Sequence, residues 1–235
     1  MNFGVILAGG VGHRMGADKP KQFLHIGEKP IIVHTVEKFA LYRNFEKVIV
    51  LTPEEWIGYT KDVLKKYLGE MDNVVVIQGG VVRNETIMNA VRYIEAEYGL
   101  EDAVIVTHDA VRPFVTYRII DENIAATQEY GACDTVIPAT DTIVESADNE
   151  IISSIPDRSK LYQGQTPQSF RAAELKETYE ALTEEEKEIL TDAAKIYVIK
   201  GKPVKLVQGE PFNIKVTYPY DLTVAETLLK GGRNV

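Results

Sequence analysis

The sequence predicts an α/β fold, with a mainly parallel, twisted β-sheet and helices on both of its faces. Short segments rich in Val and Ile alternate along the chain with longer segments of helical periodicity. Such alternation implies right-handed crossover connections, which place helices on both faces of a parallel sheet. The 235 residues, 45% of them hydrophobic, are enough to build one core. We therefore expect a single domain over residues 1–235.

Strands and helices are predicted in alternation up to residue 139. The short apolar runs that predict strands are residues 3–8, 47–52, 74–78, 103–107 and 135–139. The segments that predict helices are residues 31–41, 53–68, 85–98 and 117–130. Ligands of parallel sheets bind beyond the carboxyl ends of the strands. The candidate binding loops therefore begin at Gly9, Thr52, Gly79, His108 and Thr140.

A different pattern follows residue 139. Two strand-like segments, residues 142–145 and 151–155, flank a polar turn and predict a protruding β-hairpin. An isolated two-stranded ribbon is marginally stable in water, so we expect this β-arm, at about residues 140–157, to pack on a second subunit. The later elements are predicted as helices at 172–182, at 191–198 and from 220 to about 230, and as strands at 204–207 and 213–217.

The composition argues against several classes of protein. A formal net charge of -9 disfavours a protein that binds nucleic acid or a membrane surface, because such proteins need a basic face. No run approaches the roughly 20 apolar residues that cross a bilayer, and the first residues lack the basic start of a signal peptide. Cys133 is the single cysteine and cannot form an internal disulfide. We expect a cytoplasmic protein.

A glycine-rich loop directly follows the first predicted strand and contains Leu7, Ala8, Gly9, Gly10, Val11, Gly12, His13 and Arg14. Closely spaced glycines let backbone N–H groups approach an anion. The spacing does not match a dinucleotide-binding fingerprint, because the third glycine would fall at Met15, and no Gly-Lys-Ser/Thr closes the run as in a P-loop. With Arg14 in the loop and Lys21 after it, the segment predicts a triphosphate site. A purely structural turn is the alternative.

The pattern Leu-Ala-Gly-Gly-x-Gly-x-Arg-Met, followed by Pro20-Lys21, resembles that of nucleotidyltransferases that activate sugars and polyols. The resemblance implies a Rossmann-like nucleotidyltransferase fold. Residues 79–86, 107–113 and 213–217 are similar to the cytidylyltransferase branch of that group. Its members use CTP as co-substrate together with Mg²⁺, and they accept 2-C-methyl-D-erythritol 4-phosphate or D-ribitol 5-phosphate.

The resemblance implies a role for three sets of residues. The residues implied in catalysis are Arg14, Lys21, Arg158 and Lys215. The residues implied in binding CTP are Leu7, Ala8, Gly9, Gly10, Gly12, Gly80, Arg83, Asn84, Thr86 and Ala110. The residues implied in binding the acceptor are Asp109, Arg112, Thr142, Thr166 and Thr191, of which Asp109 is also the candidate magnesium ligand.

These residues also have structural alternatives when they are taken without the resemblance. Asp109 and Arg112 are equally consistent with a salt bridge inside a loop. Lys215 is flanked by apolar residues in a predicted strand and is expected to point at an anion, although a solvated lysine stays open. Asn84 or Thr86 would serve equally well as a helix cap.

Residues 161–168 and 189–193 look more like the enzymes that act on ribitol phosphate. In the methylerythritol enzymes a Glu is more common at the position of Ala193, and Pro-Ala-Ala-Gly is common where this chain has Leu7 to Gly10. The implied function is transfer of CMP from CTP to D-ribitol 5-phosphate, which gives CDP-ribitol and pyrophosphate for teichoic-acid synthesis in the cell wall. The alternative is the methylerythritol reaction of isoprenoid synthesis.

The resemblance also implies partners. It implies a homodimer in which the β-arm reaches across and Arg158 meets the acceptor phosphate of the neighbouring subunit. It further implies a reductase that supplies ribitol 5-phosphate. Two other classes stay open: a nucleotide-binding regulator without turnover, and a dinucleotide-dependent dehydrogenase, against which the glycine spacing argues.

Overall fold

The computed structural model describes residues 1–10 and 19–231. The strands are β1 (Asn2–Leu7), β2 (His25–Ile26), β3 (Lys29–Pro30), β4 (Lys47–Thr52), β5 (Val74–Gln78), β6 (Val104–Asp109), β7 (Ala132–Pro138), β8 (Tyr162–Arg171) and β9 (Lys205–Gln208). The helices are α1 (Ile31–Ala40), α2 (Ile57–Leu68), α3 (Arg83–Tyr98), α4 (Tyr117–Tyr130), α5 (Ala172–Glu180), α6 (Glu184–Glu188), α7 (Ala194–Ile199) and α8 (Pro219–Gly231).

Seven of the described strands form one twisted sheet in the order β5-β4-β1-β6-β8-β7-β9. Strands β5, β4, β1 and β6 are parallel to one another, and β9 is parallel to β7. Strand β8 lies between β6 and β7 and is antiparallel to both. The predicted α/β fold with a mainly parallel sheet is therefore confirmed, with one antiparallel strand inside it.

The core has one hydrophobic layer on each face of the sheet. Successive side chains of a strand point to opposite faces, so Ile49 and Val50 of β4 enter different layers. One layer packs against α1, α2 and α4, and the other packs against α3, α5 and α7. A smaller apolar cluster, which includes Val111 and Val216, fixes α8 beside the end of β6. None of the described helices is long and apolar enough to cross a membrane.

The predicted elements up to residue 139 are confirmed, with ends that differ by a few residues. The predicted strand at 213–217 is wrong, because this segment has no strand geometry. Its Val216 N–H donates to the Val111 carbonyl oxygen (2.9 Å), but the segment does not join the sheet. Strand β8 was not predicted. The predicted helix at 191–198 is shorter, since α7 begins only at Ala194.

The β-arm is less regular than the predicted hairpin. A single antiparallel bridge joins Glu145 and Ser154, and the tip turns around Asp148, whose carboxylate accepts the N–H groups of Glu150 (3.0 Å) and Ile151 (2.9 Å). Apolar side chains of the arm are exposed, namely Ile143, Val144, Ile151, Ile152 and Ile155.

Candidate active site

A cleft of about 460 Å³ opens beyond the carboxyl ends of β1, β5 and β6, where a sheet of this kind places its ligand. Its lining includes many of the residues singled out in the sequence: Leu7, Ala8, Gly9, Gly10, Lys21, Gly80, Arg83, Thr86, Asp109, Ala110 and Lys215. Three cationic side chains and one carboxylate are among them. The cleft therefore carries an excess of positive charge inside an acidic protein.

The start of the glycine-rich loop is held to the sheet by two hydrogen bonds. The Ala8 N–H donates to the Leu51 carbonyl oxygen (2.8 Å), and the Gln22 side-chain amide donates to the Ala8 carbonyl oxygen (2.8 Å). The buried Lys21 lies beside Gly10, where an added Cβ would be 3.9 Å from the lysine Cε. Gly12 and Arg14 lie outside the described residues.

The loop between β5 and α3 forms another wall of the cleft. The Thr86 hydroxyl accepts the Gly80 N–H (3.0 Å) and lies 3.0 Å from the Val82 carbonyl oxygen, to which it donates. The Val81 N–H donates to the Glu85 carboxylate (2.7 Å). Neither Asn84 nor Thr86 is the N-cap of α3, because the helix begins at Arg83. Thr86 instead fixes the backbone that faces the cleft.

Asp109, at the end of β6, is surrounded by positive charge. Its Oδ1 lies 2.5 Å from Arg83 Nη1, and its Oδ2 lies 2.9 Å from Lys215 Nζ and 3.5 Å from Arg112 Nε. Burial disfavours the charged carboxylate, but these three cations outweigh it and hold the pKa of Asp109 well below its usual range. Asp109 is therefore ionised, and it orients cationic groups that come from three different segments.

A hydrogen-bonded chain positions Asp109 from behind. His108 Nε2 lies 2.9 Å from the backbone carbonyl oxygen of Arg112, which can only accept a hydrogen bond, so Nε2 carries the proton. The other ring nitrogen, Nδ1, therefore accepts a hydrogen bond from the Thr166 hydroxyl at 2.9 Å. The Thr166 oxygen in turn accepts the Asp109 N–H at 3.2 Å. Burial lowers the pKa of His108 to about 4, which keeps the ring neutral in this arrangement.

Asn213 connects the segment of Lys215 to the rest of the site. Its side-chain amide donates to the Thr166 carbonyl oxygen (2.9 Å) and to the Gln165 side chain (3.2 Å). Its backbone carbonyl oxygen accepts a hydrogen bond from Arg112 Nη1 (2.7 Å). Lys215 is 41% exposed at its side chain and pairs with Asp109. Hydrogen bonds of the Asn213 side chain thus hold the segment that brings Lys215 to Asp109, although this segment is not part of the sheet.

Six of the proposed residues that the structure describes do not line the cleft. Asn84, Arg112 and Thr166 are largely buried behind its wall. Thr142, Arg158 and Thr191 are exposed and lie elsewhere on the surface. The Arg158 guanidinium donates to the Thr140 carbonyl oxygen (2.8 Å) at the base of the β-arm.

The cleft has five further lining residues that the sequence analysis did not assign: Gln22, Val81, Val82, Val111 and Thr217. All of them lie inside or beside the segments that carry the resemblance. Their location in those segments is the sequence feature from which they could have been predicted. Gln22 acts by fixing the glycine-rich loop, and Val81 and Val82 place exposed apolar surface at the cleft edge.

The described residues do not fit a protein-held magnesium site. They contain no group of three or more His, Cys, Asp or Glu side chains arranged to hold a metal. Asp109, the candidate ligand, already has cationic partners at both carboxylate oxygens. A further cation there would be repelled by three positive charges, so this carboxylate is suited to hold cationic side chains and not a metal ion.

Comparisons with known proteins agree with this geometry. Residues 3–231 match the family described as IspD, 2-C-methyl-D-erythritol 4-phosphate cytidylyltransferase. A 2-C-methyl-D-erythritol 4-phosphate cytidylyltransferase from Francisella tularensis has 26% identity and a TM-score of 0.80, covering 96% of this chain and 98% of its own. One from Thermus thermophilus has 27% identity and a TM-score of 0.71, covering 98% of this chain and 100% of its own.

A third solved structure shares the fold at lower identity. The 4-diphosphocytidyl-2C-methyl-D-erythritol synthase from Anaerococcus prevotii has 24% identity and a TM-score of 0.80, covering 98% of this chain and 96% of its own. The family match spans nearly every described element, from β1 to α8. The chain belongs to the IspD family of CTP-using cytidylyltransferases.

Proposed function

We propose that this cytidylyltransferase transfers CMP from CTP to the phosphate of a short polyol phosphate, with D-ribitol 5-phosphate as the acceptor. The observation that carries the proposal is the grouping of Arg83, Arg112 and Lys215 around Asp109, at a cleft that the start of the glycine-rich loop and Lys21 also line. Two phosphate-bearing substrates need two cationic regions in one cleft, because their like charges repel each other.

The proposed reaction is an in-line attack by an acceptor phosphate oxygen on the α-phosphorus of CTP. A new P–O bond forms, and the bond from the α-phosphorus to the bridging oxygen breaks, so that pyrophosphate leaves with the electron pair. A phosphate monoester is already ionised near neutral pH, so no general base is required. Catalysis then depends on positioning and on charge stabilisation.

Lys21 and Arg14 are proposed to stabilise the negative charge that develops around the α-phosphate. Lys21 is buried beside Gly10, which keeps its position fixed before the reaction begins. Backbone groups of Leu7 to Gly10 and of Gly80 are proposed to bind the triphosphate and the nucleoside. We include Mg²⁺ because members of the family use it, and we propose that it enters the cleft bound to CTP.

Lys215 is proposed to bind the acceptor phosphate. Arg158 and Thr142 of a second copy of the chain would complete the acceptor site, because both are exposed and neither lines the cleft of its own subunit. The exposed isoleucines and valine of the β-arm support such a dimer, since apolar surface of this kind is stabilised when a second copy covers it.

Two acceptors compete, and different observations support each. On the comparisons alone, 2-C-methyl-D-erythritol 4-phosphate is the better supported, because the solved structures described above carry its name. This chain's own residues support D-ribitol 5-phosphate. Ala193 is fully buried in the apolar layer beside α7, so the Glu that is common there in the methylerythritol enzymes would not fit this packing.

Turnover with the two acceptors, measured side by side with CTP and Mg²⁺, tests the proposal. We expect kcat/KM to be at least about tenfold higher for D-ribitol 5-phosphate, since a pocket that binds one extra hydroxyl group rejects the analogue that lacks it. Mass spectrometry of the product identifies the nucleotide that forms. A preference for the methylerythritol phosphate would keep the mechanism and replace the acceptor, and it would remove the support for a reductase partner and for teichoic-acid synthesis.

A further inference from the structure

Three hydrogen-bond acceptor groups meet beside the charged site, on the α3, α5 and α7 side of the sheet. Asp134 of β7 is only 9% exposed, and its Oδ1 has no hydrogen-bond partner. Gln168 of β8 is 2% exposed and pairs in register with Asp134, and its Oε1 also has no partner. The Gln168 amide donates its N–H to Oδ2 of Asp192 at 3.2 Å, and Oδ1 of Asp192 accepts the Lys195 N–H at 3.0 Å. We call Asp134, Gln168 and Asp192 the acceptor row.

The acceptor row lies close to Asp109. Gln168 pairs in register with Thr107, which precedes Asp109 on the same strand. The charges of Arg83 and Arg112 act on the carboxyl groups of both Asp109 and Asp134. The two arginines that hold Asp109 therefore also lie near the row.

Unpaired buried acceptors are costly, because each loses its bonds to water on folding and gains none in return. Among the described residues, no lysine or arginine forms an ion pair with Asp134 or Asp192. The row consists of two carboxylates and one amide, and the described residues contain no group of three or more His, Cys, Asp or Glu side chains that could hold a metal ion. Its two unpaired oxygens, Asp134 Oδ1 and Gln168 Oε1, need donors, and hydroxyl groups are neutral donors.

The row lies close to the surface at Gly164. This glycine is exposed, and a Cβ added to it would lie 3.8 Å from Asp134 Oδ2. No side chain at this position covers the carboxylate. Thr191, which precedes Asp192, is exposed as well. Exposed residues therefore border the row at Gly164 and at Thr191.

We propose that Asp134, Gln168 and Asp192 bind the hydroxyl groups of the polyol phosphate and so determine which acceptor is used. This inference rests on the proposed function and extends it, because it assigns acceptor specificity to residues outside the cleft lining. A fully hydroxylated chain supplies a donor to each unpaired oxygen. A methyl branch would leave one of these oxygens buried without a donor, which is the penalty that gives strong discrimination.

The test compares Asp134→Asn with a matched control, Ser169→Ala. Ser169 follows Gln168 on the same strand and is equally buried, but its hydroxyl donates to Asn123 on the opposite face of the sheet. At pH 8, where Asp134 is mostly ionised, we expect Asp134→Asn to raise the KM for D-ribitol 5-phosphate by about ten- to a hundredfold, the usual effect of losing a hydrogen bond to a charged group. The KM for CTP should stay within about twofold, and Ser169→Ala should change neither constant by more than that.

Gly164→Val provides a second variant that leaves the buried residues intact. Its side chain would stand at the surface between the polyol and Asp134, so we expect the same selective rise in acceptor KM. The thermal midpoint of each variant shows whether it is folded. Folded variants with an acceptor KM within about twofold of the wild-type value would overturn the inference.

The wild-type enzyme separates this inference from the proposed function. Turnover of the wild type with a polyol phosphate tests the proposed function. The ratio of the KM for D-ribitol 5-phosphate to the KM for CTP in the variants tests whether the acceptor row binds the polyol. If the wild type shows no turnover, calorimetric titration of D-ribitol 5-phosphate decides the matter. Binding to the wild type that is weakened in Asp134→Asn supports the row, and no binding to the wild type overturns it.

Discussion

The ammonium nitrogen of Lys215 lies 2.9 Å from Oδ2 of Asp109, although the two residues come from opposite halves of the chain. The pair joins the end of β6 to a loop that docks through Asn213 and Val216. Because Asp109 is also bound by Arg83 and Arg112, it holds Lys215 in place without neutralising the cleft. The proposed acceptor site depends on this arrangement.

Lys215→Ala should mainly weaken use of the acceptor. We expect the acceptor KM to rise by roughly a hundredfold, or kcat/KM for the acceptor to fall by a similar factor, since one charged contact to phosphate is lost. The KM for CTP should change little. Lys202→Ala is the matched control, because Lys202 also pairs with a carboxylate, that of Glu174 at 3.1 Å, but does not line the cleft. An unchanged acceptor dependence in Lys215→Ala would rule out its proposed role.

Lys21→Ala should lower turnover and not substrate affinity alone. Removing one preorganised electrostatic contact to a developing charge costs on the order of 10²–10³ in kcat. The same loss is expected for Arg14→Ala. Lys29→Ala serves as control, since Lys29 pairs with Glu37 at 2.8 Å away from the cleft. Near-normal kcat in both loop variants would show that the mechanism is wrong.

Thr166→Val should misplace Asp109 without touching any substrate directly. It removes the hydroxyl that His108 and the Asp109 N–H share, so we expect kcat/KM to fall at least about tenfold and stability to fall by about 1–2 kcal/mol. Thr166→Ser keeps the hydroxyl and should restore most of the activity. If the valine and serine variants lose activity equally, the hydroxyl is not the positioning group.

The stability of the protein should depend on pH through Asp134. Burial raises the pKa of Asp134 to about 7, with the nearby Asp192 charge adding to this and Gln168, Arg83 and Arg112 opposing it. Because the ordinary value is 3.8, the folded protein binds the proton more tightly than the unfolded chain does. This contribution to stability is fully present below about pH 4 and is lost as the pH rises through about 7.

Asp134→Asn cannot titrate and tests that dependence. Relative to the wild type, the variant should gain stability on the order of 2 kcal/mol between pH 5 and pH 8, a figure that follows from about 1.4 kcal/mol per pKa unit with an allowance for solvent screening. Denaturant unfolding at the two pH values measures it. A constant difference between variant and wild type would show that Asp134 is ionised in the folded protein throughout.

The alternating strands and helices of the first half were predictable because each is a continuous run with one periodicity. Strand β8 was not, because Tyr162–Arg171 is rich in polar residues and contains Pro167, which argues against a central strand. The register between β7 and β8 shifts between Asp134 and Val136, opposite this proline. The sheet accommodates the proline at an irregularity that no local pattern reveals.

The charged site was predictable in its members but not in its geometry. Asp109, Arg112 and Lys215 stood out in their segments, yet only the folded chain shows that all three meet together with Arg83. The acceptor row had no sequence signal of its own. Asp134 lies in an ordinary strand, and its significance comes from the burial that tertiary packing imposes.

The most direct test of the central claim is pyrophosphate release from CTP with Mg²⁺, measured with and without a polyol phosphate. We expect release that requires the acceptor, is supported by D-ribitol 5-phosphate, and falls strongly when UTP or GTP replaces CTP. CTP binding without pyrophosphate release, in the presence of either D-ribitol 5-phosphate or 2-C-methyl-D-erythritol 4-phosphate, would contradict it and would indicate a nucleotide-binding regulator.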